Sequence, residues 1–174
     1  MGRPLNNHVV VRRLLPFSLS ALTVALDQLT KALVLHFWPE PGRIYLDVIP
    51  GCFSLAHCQN QGAAWGIFSG HLWMLGVFSA VAAAAIILFW RWLTAGNRFC
   101  EWCYAFLLGG IVGNMIDRFW RPGVIDFLHF YYQRWAWPTF NVADIAITCS
   151  ILLLVLHGFV NDWRARKAKT AEGQ

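Results

Sequence analysis

GGIVGNMIDRFWRPGVIDF, from Gly109 to Phe127, begins like one face of a membrane helix. It then sets Asn114, Asp117 and Arg118 within about one turn and adds Asp126 shortly after. An ionised aspartate on a helix at the bilayer centre costs roughly 2.5 to 3.5 kcal/mol, and less near the interface, so the cluster needs a reason. The rest of the chain makes the membrane the default environment. Of 174 residues, 57% are hydrophobic, ten are Trp and thirteen are Phe, while only 13% are charged. That charged share is about half of what a soluble domain carries. A formal charge of +5 would fit nucleic-acid binding in a soluble protein. Here the basic residues gather at the ends of apolar runs, which orients a membrane protein and argues against a nucleic-acid footprint.

Four apolar runs, at about 14–37, 72–93, 99–117 and 140–159, approach the roughly 20 residues that a helix needs to cross the hydrocarbon layer. They predict an all-α polytopic membrane protein with four transmembrane helices, folded as a single domain over 1–174. The first run is too long for a cleaved signal peptide and is followed by LVLHFWPEP, with no small-x-small site, so it reads as a retained anchor. With both termini inside, nine Lys and Arg lie on the cytoplasmic side and five outside, which favours that orientation.

Two segments then lie outside. Residues 38–70 contain IYLDVIPGCFSLAH, whose alternation predicts a small strand pair forming a β-rich cradle, followed by the turn signal NQG. Residues 118–138 are dense in aromatic rings, which prefer the headgroup level, and are expected as a loop or helix lying there. The tail after Asp162 reads as short, polar and cytoplasmic.

Three acids fall near the outer ends of the spans. Asp27 precedes Lys31 by one helical turn, which fits either an internal ion pair anchoring the helix end or a part in substrate binding. Asp117 ends the third span and Asp144 begins the fourth, so the two stand at similar depth. Each has an amide three residues before it, Asn114 and Asn141, able to hold a carboxylate in one orientation. Gly109 and Gly113 form a GxxxG that lets another backbone approach. The cluster is thus either a packing seam with satisfied polar groups or a carboxylate pair. Two like charges in a partly dry site share a proton near neutral pH, which equips them for aspartyl protease chemistry. No HExxH is present and this chemistry needs no metal or other cofactor. Arg118 is placed to pair with Asp126 or to receive a lipid phosphate, and Asp126 reads as a loop residue capping a turn.

Five motifs in order resemble those of the prolipoprotein signal peptidases, or signal peptidase II. They are DQLTK at Asp27–Lys31, NQGAAWG at Asn60–Gly66, GGIVGNMIDR at Gly109–Arg118, GVIDF at Gly123–Phe127 and FNVADIAI at Phe140–Ile147. The chain departs from the family at Trp65 and Gly66, where a Phe and a Ser are frequent. The resemblance implies a bacterial inner-membrane aspartyl endopeptidase that removes signal peptides from lipoprotein precursors, immediately before a diacylglyceryl-modified cysteine. It implies Asp117 and Asp144 as the catalytic pair and Asn60, Asn114, Arg118, Asn141 and Ala143 as substrate-lining residues. Asp27, Lys31, Asp126 and Gly62 would then be structural support. It also implies inhibition by the cyclic peptide globomycin. Nothing in the sequence requires a partner chain, so a monomer lying among membrane lipid is expected.

Two other classes fit parts of the sequence. Cys100 and Cys103 form a CxxC as in quinone-linked thiol oxidoreductases, but the topology puts it at the cytoplasmic end of a span, where packing is the preferred reading. A transporter using buried acids for ion binding is the other.

Overall fold

A computed structural model describes the backbone of residues 7–62 and 70–172. Trp65 and Gly66 lie outside the described residues. The order of elements is α1 (Asn7–Phe37), β1 (Arg43–Ile49), β2 (Phe53–Asn60), α2 (Leu72–Leu88), α3 (Trp90–Thr94), α4 (Arg98–Trp120), β3 (Val124–Tyr132), β4 (Trp135–Ala136) and α5 (Val142–Glu172).

Among the described residues, α1, α4 and α5 are the three helices long and apolar enough to cross a bilayer, and α2 is a shorter apolar helix. The run expected as one helix over 72–93 breaks at Phe89 and restarts as the single turn of α3. That turn ends at Ala95 (φ 47) and Gly96 (φ 72), both left-handed. At the other end of the chain, α5 does not stop near 159. The tail read as short and polar continues the helix to Glu172, because Arg, Lys and Ala are strong helix formers.

Helix α4 is the hub on which α1, α2 and α5 pack. Its glycines explain how closely. A Cβ on Gly109 would sit 2.7 Å from Thr23 Cβ of α1, and one on Gly110 would sit 2.5 Å from the Ala143 carbonyl oxygen of α5. The small-residue seam therefore serves two neighbours at once. Outward faces carry large apolar side chains, among them Leu22, Leu26, Leu29 and Leu33 on α1 and Leu152, Leu156 and Phe159 on α5, whereas Asp27, Lys31, Asp117 and Asn141 are fully buried. Apolar outside and polar within is the arrangement that lipid as a solvent selects.

The strands form one antiparallel sheet in the order β1-β2-β3-β4. The β1–β2 hairpin turns at Pro50-Gly51, with Gly51 at φ 82 and Cys52 N–H donating to Ile49 O at 3.0 Å, as a type II turn requires. This is the strand pair expected over 38–70. The aromatic segment expected as a loop or helix is instead β3 and β4. Its backbone pairs with β2, and rings pack across the two strands, where Phe53 and Phe130 stack at 4.7 Å between centroids. A further bridge ties the sheet to the last helix. Phe140 exchanges backbone hydrogen bonds with Leu128, which brings the start of α5 beside β3.

Candidate active site

Helix α5 begins with a reciprocal cap. The Asn141 side-chain oxygen accepts from Asp144 N–H at 3.0 Å, and the Asp144 carboxylate accepts from Asn141 N–H at 3.1 Å. This is a capping box with Asn and Asp in the two roles, and it fixes Asp144 at the positive end of the helix. The other Asp144 oxygen accepts from Asn114 of α4 at 2.8 Å. Because Phe140 is bridged to Leu128, the Asn141 amide also reaches β3 and donates to Asp126 at 2.7 Å. Asn60 at the end of β2 donates to the second Asp126 oxygen at 3.2 Å and is itself held by Gly62 N–H at 3.0 Å. Asn141 thus joins two carboxylates, Asp126 and Asp144.

Those two acids, with Asn60, Gly62, Asn114 and Arg118, line a cavity of about 470 Å³ that continues over the segment from Trp137 to Phe140 and along α5 to Cys149. Burial pushes the Asp126 carboxyl up to about 7, the charge of Asp144 adds to the rise, and the Asn60 and Asn141 bonds with Lys31 oppose it. Neither acid forms an ion pair among the described residues.

Asp117 is in a different position. It is fully buried, and one oxygen accepts from Lys31 at 2.9 Å and from Ile125 N–H at 3.1 Å. The other accepts from Gln28 at 3.2 Å and pairs with Arg121. Lys31 also pairs with Asp27 at 2.8 Å and donates to Asn114 at 2.9 Å. Asp27, Lys31, Asp117 and Arg121 therefore form a closed network of two acids and two bases, with no net charge. Asp117 does not line the cavity. The expected pairing of Asp117 with Asp144 is not what the geometry provides, because Asp117 points into the α1–α4 contact and its acceptor sites are taken.

The remaining predicted residues divide in the same way. Asp126, read as a loop residue capping a turn, lies in β3 and is 2% exposed. Ala143 is fully buried and does not line the cavity; its N–H donates to Asp27 at 3.0 Å, tying the start of α5 to α1. Among the described residues Arg118 pairs with neither Asp126 nor another acid; its guanidinium donates to Ser79 of α2 at 3.3 Å. Gln28 and Arg121 were missed by the sequence reading, although Arg121 follows Asp117 at the four-residue spacing of a helical ion pair.

The family model "Signal peptidase (SPase) II" matches residues 19–160. The lipoprotein signal peptidase of Geobacillus thermodenitrificans is 35% identical over 148 residues, covering 85% of this chain and 91% of that one. The lipoprotein signal peptidase of Listeria monocytogenes is 33% identical over 153 residues, covering 88% and 98%. Two solved structures, each described as a bacterial membrane enzyme determined by the in meso method, superpose with TM-scores of 0.77 and 0.70. They are 26% and 28% identical, with coverage of 84% and 82% of this chain and 88% and 90% of theirs. The chain belongs to the signal peptidase II family. It is an aspartic endopeptidase of lipoprotein processing and a multi-pass protein of the inner membrane.

Proposed function

We propose that this chain cleaves the signal peptide from diacylglyceryl-modified prolipoproteins, immediately N-terminal to the lipid-modified cysteine, with Asp126 and Asp144 as the working carboxylates. The observation that carries the pair is their shared cavity: both acids line it and Asn141 bonds both, while Asp117 is engaged by Lys31 and Arg121.

The chemistry rests on one proton held between two acids. We assign that proton to Asp126, whose carboxyl burial pushes up to about 7, and the role of base to Asp144. Asp144 takes a proton from a water as that water attacks the scissile carbonyl, and Asp126 gives its proton to the carbonyl oxygen. As the tetrahedral intermediate collapses, Asp144 returns its proton to the departing amine of the cysteine and Asp126 regains its own. Asn60, Asn114 and Arg118 supply donors around the peptide. A soluble peptide is a poor substrate because it lacks acyl chains, each buried CH₂ of which contributes about 0.8 kcal/mol to holding the bond at this depth.

The topology proposed is four spans in one peptidase domain with both termini cytoplasmic. Helix α2 serves as the short fourth span: its 17 residues reach about 25 Å, and the α3 turn extends it at the interface. The protein acts as a monomer, and a cyclic peptide of the globomycin type competes for the cavity. Incubation with a lipidated prolipoprotein tests the assignment. Asp126→Asn and Asp144→Asn each lose cleavage, and normal cleavage by either removes the pair.

A further inference from the structure

Helix α2 reads LWMLGVFSAVAAAAIIL, and Ser79 is its one hydroxyl in an otherwise apolar sequence. That hydroxyl donates to Leu75 O one turn back at 2.9 Å, which leaves its lone pairs for another donor. The donor is Arg118 Nη1, at 3.3 Å. The contact depends on a close approach of α2 to the outer end of α4. Gly76, three residues before Ser79 on the same helix, leaves room for the Phe119 ring: a Cβ there would lie 2.9 Å from it, so a larger residue makes that ring shift.

Arg118 lines the cavity with Asp126 and Asp144 yet forms no ion pair with either among the described residues. A guanidinium beside two carboxylates collapses onto them unless something else holds it. Its Nε–H is buried and has no partner among the described residues. A buried donor without a partner, on a side chain that lines a cavity, is free to meet an acceptor that a ligand brings.

We propose that Ser79 is a positioning residue: it holds the Arg118 guanidinium away from the two acids so that Nε–H meets a carbonyl oxygen of the bound precursor. The inference rests on the proposed function in that the cavity takes a peptide. Ser79 itself touches no substrate and acts through Arg118.

The test is steady-state cleavage of a lipidated prolipoprotein in mixed micelles. Ser79→Ala suits it because alanine is the better helix former and four alanines follow at 82–85, so the variant keeps α2. Loss of a hydrogen bond to a charged group raises KM roughly tenfold, and the guanidinium released toward the two acids lowers kcat as well. Ser79→Thr, which keeps the hydroxyl, restores KM. In an Arg118→Lys background Ser79→Ala adds no further change, since the group it positions is gone. A native KM for Ser79→Ala overturns the proposal. So does a fall in kcat at unchanged KM, the mark of lost folded enzyme, or an undiminished Ser79→Ala effect beside Arg118→Lys. Asp126→Asn run in parallel judges the carboxylate pair separately: if it still cleaves, the pair is refuted, and the cycle between Ser79 and Arg118 still reads out on KM.

Discussion

Replacing Asp126 by Asn separates catalysis from stability. Ordinary aspartate titrates at 3.8, and here burial carries the Asp126 carboxyl to about 7. That difference corresponds to roughly 4 kcal/mol against the ionised form in the folded state. The group takes up its proton more readily when folded, so below about pH 4, where both states are protonated, it imposes no penalty. As pH rises from 4 through 7 the unfolded chain ionises freely while the folded one resists, and the penalty is fully present above 7. Asn carries no charge and escapes it. Part of the gain is returned, because Asn60 and Asn141 both donate to Asp126 and an amide offers one of them a second donor rather than an acceptor; the net is about 1 to 2 kcal/mol. The expected result is a variant whose cleavage of lipidated precursor falls by roughly 10² to 10⁴ while its midpoint of thermal unfolding in detergent rises by a few degrees at pH 8 and falls at pH 4, where the lost hydrogen bond is no longer offset. Retained turnover refutes the assignment of Asp126. A midpoint that falls at pH 8 refutes the electrostatic argument.

Lys31→Met removes the cation shared by Asp27 and Asp117 and leaves two buried carboxylates one partner short, so it costs about 3 to 5 kcal/mol, read as loss of folded protein in detergent. Gly110→Val drives a side chain into the Ala143 backbone, whose oxygen a Cβ would meet at 2.5 Å. Unfolding then shifts to lower temperature and cleavage is lost as the start of α5 moves. The rate of native cleavage declines as pH rises past about 7, because the proton on Asp126 is what polarises the carbonyl. Cys100→Ser with Cys103→Ser leaves processing intact, as both are free thiols away from the cavity.

The helices were legible because lipid imposes one rule, apolarity over a fixed length, and runs such as that at 140–159 obey it. The rule says nothing about where a polar continuation stops, which is why the helical tail of α5 was not foreseen. The β1–β2 hairpin was legible from the alternation in IYLDVIPGCFSLAH. The third strand was not: FLHFYY has no alternation of polarity, since it is an aromatic layer and not a half-wet surface. At the site, Asn114 with Asp117 and Asn141 with Asp144 share one spacing, which made them look equivalent. Their surroundings differ. Arg121 lies four residues after Asp117 in the sequence, and Lys31 comes from another helix. Asp126 gains its environment from Asn60 and Asn141, 66 and 15 residues away. Only the bridge between Leu128 and Phe140 brings Asn141 within reach, and no local pattern announces it.

The buried network also bears on how the chain enters the bilayer. Helix α1 carries Asp27 and Lys31 four residues apart, and α4 carries Asp117 with Arg121 at the same spacing just past its end. Asp27 and Asp117 each have a cation four residues on before the two helices meet, so neither acid must cross as an isolated ion. Assembly is then an exchange of partners: Lys31 adds Asp117 to the acid it arrived with. The order of biogenesis is eased by a pairing that the finished enzyme still contains, and a variant lacking Arg121 should betray itself first in the yield of inserted α4.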